Sequence, residues 1–214
     1  MNVPIDIDET NAALEDAAPE EILQWGHESS AGSILISTNF RPYEAVLLHM
    51  AAQKIPDIPV LWVDHGYNTP GTYKCAEATI EKLGLNVHLY IPARTAAHRD
   101  TVLGGIPGLD DQEAHDRFTE EVKLEPFRRG MRELKPSVWL TALRRVQNPN
   151  RETMQVVGRT PDGIVKLSPV LAWTDEQMQA YIEKHDLPNE FNYYDPTKVL
   201  ENRECGLHLD SSKL

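Results

Sequence analysis

The chain has 214 residues, 41% of them hydrophobic, and a formal net charge of −12. That length and composition suit one globular domain with a sizeable core rather than a disordered chain. The acidic balance argues against a general nucleic-acid or membrane-surface binder, and no apolar run approaches the ~20 residues that span a bilayer.

No leader-like segment opens the sequence. Residues 1–30 carry eight acidic side chains and no lysine or arginine. They read as helical over 8–29, interrupted near Pro19, and are expected to form an N-terminal helical arm. The two cysteines, Cys75 and Cys205, provide no disulfide framework, which suits a reducing, cytoplasmic location.

Ser33 to Ser37 is a short apolar, β-branched run and predicts a strand. Thr38-Asn39-Phe40-Arg41-Pro42 breaks it. Tyr43 to Lys54 then places Val46, Leu47, Met50 and Ala51 on one helical face, with Pro42 suited to the first turn. Strand, polar loop and helix N-terminus make an anion-binding arrangement, because free N–H groups and the helix dipole point at the loop. Val60 to Asp64 predicts the second strand, ending in Asp64-His65-Gly66-Tyr67. A helix from Pro70 to about Leu83 and a strand over Asn86 to Ile91 follow. This alternation argues for a parallel sheet with right-handed crossovers, whose ligands bind beyond the carboxyl ends of the strands. The loops 37–42 and 64–67 both lie there. Cys75 falls inside a helix as a small core residue.

Within residues 93–110 only Gly104-Gly105-Ile106-Pro107-Gly108 reads clearly, as a loop. The acid-rich stretch 110–121 opens a helical region running, with a break near Pro126, to about Leu134. Ser137 to Ala142 predicts the fourth strand. It leads into Leu143-Arg144-Arg145-Val146-Gln147-Asn148-Pro149-Asn150-Arg151. Between Lys123 and Arg151 eight cations face only Glu125 and Glu133. Lys123, Arg128, Arg132 and Lys135 read as a solvated helix face. Arg144, Arg145 and Arg151 flank a turn instead, and are candidate phosphate ligands. A hairpin is expected around Thr160-Pro161-Asp162-Gly163, and Thr174 caps a last helix to about His185. A mobile tail, 187–214, is expected to carry Glu204-Cys205-Gly206-Leu207-His208. Arg203 and His208 lie near enough in sequence to favour a thiolate at Cys205, the reactive form of cysteine. An ordinary tail thiol and a docking hydrogen bond from His208 are the plainer alternatives.

The segment ECGLH resembles the C-terminal signature of the thioredoxin-dependent phosphoadenylyl sulfate (PAPS) reductases and their adenylyl sulfate (APS) relatives. Five further motifs occur in the family's order. Ser37-Thr38-Asn39-Phe40 stands at its phosphate loop, and Asp64-His65-Gly66-Tyr67 resembles its Asp-Thr-Gly-Tyr. Lys123-Leu124-Glu125-Pro126 resembles its Lys-Val-Glu-Pro, and Leu143 to Arg151 its arginine loop. Lys166-Leu167-Ser168-Pro169 with Trp173 resembles its hairpin and last turn.

The resemblance implies an α/β fold of the adenine-nucleotide α-hydrolase-like (PP-loop) type, doubly wound about a mainly parallel sheet. It implies Cys205 as nucleophile with His208 assisting. It implies substrate contacts from Ser37, Thr38, Asn39, Phe40, Arg41, Asp64, Gly66, Arg144, Arg145 and Arg151. Thioredoxin or glutaredoxin would be the electron donor, PAPS or APS the substrate, and a homodimer the assembly. Three departures stand out: Arg41-Pro42 replaces a glycine and an apolar residue, Val146 replaces a glutamate, and the family's Gly-Tyr-x-Ser-Ile-Gly segment is missing before ECGLH. Two cysteines cannot supply the thiolates of an iron–sulfur cluster, so no cofactor is expected. An ATP pyrophosphatase or adenylyltransferase of the same fold, and a non-enzymatic nucleotide-binding protein, remain as alternatives.

Overall fold

The computed structural model describes residues 5–108 and 110–198. Among these, six strands form one sheet in the order β3-β2-β1-β4-β6-β5. They are β1 (Ile34–Thr38), β2 (Pro59–Val63), β3 (Asn86–Tyr90), β4 (Val138–Leu140), β5 (Val157–Arg159) and β6 (Val165–Leu167). All neighbours are parallel except β5 on β6, the hairpin expected from the Pro-Asp-Gly turn. The strands alternate their apolar side chains between two faces, as the two-residue period requires. Ile34, Ile36, Val60, Trp62, Val138, Leu140, Val165 and Leu167 face one large core. Leu35, Leu61, Val63, Tyr90 and Trp139 face a smaller one with Phe127.

The larger core is closed by α2 (Pro19–Ser29), α3 (Glu44–Lys54), α4 (Pro70–Leu83) and α8 (Asp175–His185). Thr174 caps α8 as its sequence predicts, accepting from Gln177 N at 3.3 Å while the Gln177 amide accepts from Thr174 N at 2.9 Å. The smaller core is closed by α7 (Glu125–Leu134), which reaches β2 and β3 through Gly130. A Cβ there would stand 2.6 Å from Leu61 Cδ1 and 2.9 Å from the Tyr90 ring, so the close approach requires glycine.

One expectation needs correction, and the structure adds two features. Ahead of the expected loop at 104–108 lies an unassigned helix, α5 (Ala96–Leu103), capped by Thr95, whose hydroxyl accepts from His98 N. Its sparse apolar content hid it. The helical stretch before Pro126 does not break. It runs from α6 (Gln112–Thr119) through a π-helical turn (Glu120–Leu124) into α7, so Pro126 sits in a helix's first turn. The N-terminal arm is helical and interrupted before Pro19, as expected, and it packs on the body. Ile22 and Leu23 of α2 are buried in the larger core, and α1 (Ile7–Leu14) lies along β5.

The α1 contact is specific. Asn11 is buried, and its side chain pairs with the outer edge of β5 as a neighbouring strand would. Its Nδ2 donates to Val157 O and its Oδ1 accepts from Val157 N, both at 2.8 Å. Replacing it leaves one buried donor and one buried acceptor unpaired. Asn11→Ala is expected to cost about 1–3 kcal/mol, read as a lower urea midpoint at unchanged slope; a midpoint equal to wild type would show that α1 contributes nothing to the body.

Candidate active site

Where β1 ends, the chain must turn sharply into α3. Phe40 and Tyr43 both adopt left-handed backbone, at φ 50° and 69°. Such conformations are uncommon for bulky residues and need support from their surroundings. Phe40 is fixed by burial and by an edge-on contact with Trp62, 4.9 Å between centroids. The carboxylate of Glu44, buried in the first turn of α3, holds the rest. It accepts from Thr38 Oγ1, Asn39 N and Arg41 Nε, each at 2.8 Å. Pro42 thus lies in the turn, two residues before the helix. Ser37 points elsewhere: its hydroxyl accepts from Trp139 Nε1.

The second loop of the site follows β4, the strand beside β1. Here the chain reverses its winding direction, from β1 outward through β2 and β3 to β4 on the other side. Gln147 organises this loop. Its Oε1 accepts from Arg144 N at 3.0 Å, Arg151 Nη1 at 2.6 Å and Arg41 Nη2 at 3.3 Å. Arg41 also reaches Ala142 O, so the first loop and the arginine loop meet across the switch point.

The four arginines therefore divide. Arg41 and Arg151 converge on one carbonyl oxygen. Arg144 is buried and turned toward α8, with Nη2 2.6 Å from Asp175 Oδ1, Nη1 donating to Trp173 O, and its guanidinium 5.3 Å from the Tyr43 ring centre. Arg145 is turned toward the N-terminal helix, donating to Met154 O and to Glu15 Oε1. Val146, where the resemblance has a glutamate, is 60% exposed.

The third loop follows β2. Asp64 Oδ1 accepts from Gly66 N, Asn68 Nδ2 and Tyr73 OH. Burial and then the Asp64 carboxylate push the Tyr73 hydroxyl up to about 12. Gly66 has φ 81°, and a Cβ would stand 3.2 Å from Ala96 Cβ, so both the turn and the approach of α5 require glycine. His65 is buried. Its Nδ1 accepts from Tyr67 N, which places the proton of the neutral ring on Nε2, and Nε2 has no partner. Desolvation pulls its pKa down to about 4, against an upward pull from Asp195 and with a downward one from Lys123.

Lys123 corrects the solvated-face reading. It lies in the π turn, where it is 1% exposed and its Nζ pairs with Asp195 Oδ2. Asp195 Oδ1 accepts from Thr197 N at 3.0 Å and Thr197 Oγ1 at 2.6 Å. Burial disfavours the Asp195 carboxylate, but the Lys123 charge and these hydrogen bonds outweigh it and hold the group well below the usual range. The tail is also docked through its described part. Asn189 Oδ1 accepts from Tyr43 N, Thr69 Oγ1 donates to Asn192 O, and His115 Nε2 lies 3.2 Å from Pro196 O. Cys205 and His208 lie outside the described residues. Cys75 is half-buried in α4, where burial raises its thiol pKa.

Glu44, Gln147, His65 and the Lys123–Asp195 pair were not singled out from sequence. Gln147 lay inside a quoted motif, but its role depends on three partners from two loops. Asp195 lies 72 residues from Lys123, and no local pattern couples them.

Residues 33–193 match the family model of the phosphoadenosine phosphosulfate reductase domain. The chain belongs to that family. It is 34% identical over 180 residues to the phosphoadenosine 5′-phosphosulfate reductase of Synechococcus sp., covering 84% of this chain and 77% of the relative. Its fold matches that of the PAPS reductase of Candida auris, solved as a phosphate complex, with TM-score 0.75 and 23% identity over 88% of this chain and 91% of the other. The NH3-dependent NAD synthetase of Campylobacter jejuni shares the fold more distantly, at TM-score 0.55 and 8% identity over 87% of this chain and 76% of that one. The fold is thus the doubly wound PP-loop type that the motifs implied. In this PAPS reductase family member, three strand-end loops and the described part of the tail meet near the switch point, and the Arg41 and Arg151 guanidinium groups share Gln147 Oε1 there.

The depressed pKa of His65 gives a pH dependence. From its ordinary pKa of 6.5 down to about 4, the unfolded chain binds a proton that the folded chain excludes. Stability contributed by the neutral ring is complete above 6.5 and is lost as pH falls, by up to about 3 kcal/mol. His65→Asn keeps an acceptor for Tyr67 N. Urea unfolding from pH 7.5 to 4 should show a shallower loss in this variant; identical pH profiles would show that His65 titrates normally.

Proposed function

We propose that the protein reduces PAPS to sulfite and adenosine 3′,5′-bisphosphate, using thioredoxin or glutaredoxin dithiol, in the cytoplasm. The observation that carries this reading is the pairing of Arg41 with Arg151 on Gln147 at the switch point, in a chain that carries ECGLH at residues 204–208. Family membership and the names of the relatives support the substrate.

In the proposed mechanism the Cys205 thiolate attacks the sulfate sulfur. An S–S bond forms, the bond from sulfur to the bridging phosphate oxygen breaks, and adenosine 3′,5′-bisphosphate leaves with that oxygen. Attacker and target are both anionic, so fixed cations near the bridging oxygen lower the barrier. Arg151 fills that role. Ser37, Thr38, Asn39, Phe40, Asp64 and Gly66 shape the loops around the nucleotide, while Arg144 and Arg145 contribute through their loop. A donor thiolate then attacks Cys205 Sγ, sulfite leaves, and a mixed disulfide remains. The donor's second thiol resolves it, returning the Cys205 thiolate and leaving the donor oxidised. One enzyme cysteine suffices, and no cofactor enters the reaction. His208 is assigned to assist the Cys205 thiolate.

The covalent step is tested by mixing enzyme with PAPS and no dithiol, then measuring intact mass. Wild type and Cys75→Ser should each gain one SO3 group and release one equivalent of adenosine 3′,5′-bisphosphate. Cys205→Ser should gain nothing. A sulfonated Cys205→Ser protein would sink the mechanism, and pyrophosphate release from ATP and magnesium would support the pyrophosphatase reading instead.

Arg41 is assigned to the 3′-phosphate, so PAPS should be preferred to APS. Arg41→Ala should weaken adenosine 3′,5′-bisphosphate binding by about 1.5–3 kcal/mol, the cost of a charge-assisted contact, and should narrow the preference. Equal catalytic efficiency with PAPS and APS in wild type would remove this role from Arg41.

A further inference from the structure

We propose that Glu44 is a specificity-determining residue: its carboxylate occupies the anion-binding position after β1 and thereby excludes the β- and γ-phosphates of ATP. This deepens the reading of the protein as a PAPS reductase and rests on it. ATP is the competitor such a site must reject, because it shares adenine, ribose and the 5′-phosphate with PAPS. The two differ at the 3′ position and beyond the 5′-phosphate. There PAPS ends in a single sulfate, whereas ATP continues into a longer and more highly charged diphosphate.

A strand, a polar loop and a helix N-terminus ordinarily offer free N–H groups to an anion. Between β1 and α3 the chain supplies the acceptors itself. Asn39 N and Thr38 Oγ1 donate to Glu44 Oε2, and Arg41 Nε donates to Glu44 Oε1, each at 2.8 Å. Phe40 N donates to Thr38 Oγ1 at 3.0 Å. Tyr43 N, at the start of α3, donates to Asn189 Oδ1 at 2.8 Å. Glu44 N and Val46 N donate to Arg41 O and Tyr43 O, both at 3.1 Å. Backbone, hydroxyl and guanidinium donors thus converge on one buried carboxylate, as they would on the oxygens of a bound phosphate.

A diphosphate entering this loop meets two obstacles. It must take donors that Glu44 already holds, and stripping a buried carboxylate of its hydrogen bonds is costly. It must also come to rest beside that carboxylate, and like charges in contact reject a wrong ligand by repulsion. Arg41 offsets the Glu44 charge at a distance, but a phosphate competing for the same donors approaches the carboxylate oxygens themselves. Glu44 is also held against moving aside. Its ion pair with Arg41 is largely buried, with side chains 18% exposed for Arg41 and 8% for Glu44. The left-handed backbone at Phe40 and Tyr43 on either side leaves the loop little freedom to relax. A sulfate is a weaker hydrogen-bond acceptor than a phosphate and carries less charge. A loop whose donors are engaged therefore costs PAPS less than it costs ATP.

Equilibrium binding of AMP, ATP and adenosine 3′,5′-bisphosphate in magnesium-free buffer tests the exclusion. Wild type should bind ATP no more tightly than AMP, because the added phosphates find their donors taken. Glu44→Gln keeps the shape of the side chain and removes its charge. It should raise the ratio of ATP affinity to adenosine 3′,5′-bisphosphate affinity about tenfold or more, the equivalent of one charge-assisted hydrogen bond. A loop that was merely loosened would weaken both nucleotides together and leave that ratio unchanged. The proposal is overturned by an unchanged ratio in Glu44→Gln, or by wild type binding ATP about tenfold more tightly than AMP. If Glu44→Gln fails to fold, the wild-type comparison of ATP with AMP decides alone. Sulfite release from PAPS with a reduced dithiol is measured on the same wild-type protein. Its absence would refute the reductase reading, while the comparison of ATP with AMP would still decide whether the loop excludes polyphosphate.

Discussion

The carboxylate of Glu44 sets the conditions for the whole site. The end of β1 and the start of α3 leave backbone and hydroxyl donors that must find acceptors. In a phosphate-binding loop those donors are kept for ligand. Here Glu44 takes Thr38 Oγ1, Asn39 N and Arg41 Nε onto one buried carboxylate. The loop is thereby rigid, and it supports left-handed backbone at Phe40 and Tyr43 that would be costly in a loose turn. On the proposed reading this places a negative charge where the anionic substrate binds. Arg41 offsets that charge and reaches onward to Gln147 and Ala142. Recognition of the anion would then fall to side-chain guanidinium groups rather than to loop backbone.

That transfer explains why so many cations surround the arginine loop although only two converge. Arg144 joins the loop to the N-terminus of α8 through Asp175, and Arg145 joins it to α1 through Glu15. Both guanidinium groups act as struts. The Glu15 pair is partly exposed and contributes little by itself. Its value is geometric, since the two struts hold opposite sides of the short 3₁₀ turn from which Gln147 projects. Arg41 and Arg151 can share one acceptor only if that acceptor does not move.

Much of this was legible in the sequence because it is periodic or punctuated. The strands are β-branched runs ending in Asn, Asp or Arg loops, the β5–β6 hairpin is marked by Pro-Asp-Gly, and α8 begins with a Thr-x-x-Gln box. The arginine loop was located correctly, but not the partition of its side chains, which depends on Asp175 and Glu15 from distant elements. Lys123 was misread for a different reason. At about 100° per residue a regular helix already sets it roughly 140° from Arg128 and 180° from Arg132, so residue type and not helical phase put it among the solvated cations; it lies buried in a π turn. No single-sequence pattern announces such a turn. α5 escaped because its apolar residues, Val102 and Leu103, are exposed and give no inward stripe.

The interior beneath the tail illustrates how charge states are settled by burial rather than by residue type. Lys123, Asp195 and His65 lie close enough to influence one another, in a region where a charge without a partner is costly. One cation and one anion cancel, and each is further hydrogen-bonded or capped by Thr197. A proton on His65 would make the group net positive and would set two cations in competition for a single carboxylate. Desolvation already opposes that proton, and Lys123 opposes it further, so the imidazole stays neutral although Asp195 attracts it. The neutral ring can then accept from Tyr67 N and hold the β2 loop in place. Burial thus keeps the ring neutral, and the hydrogen bond from Tyr67 N places its one proton on Nε2.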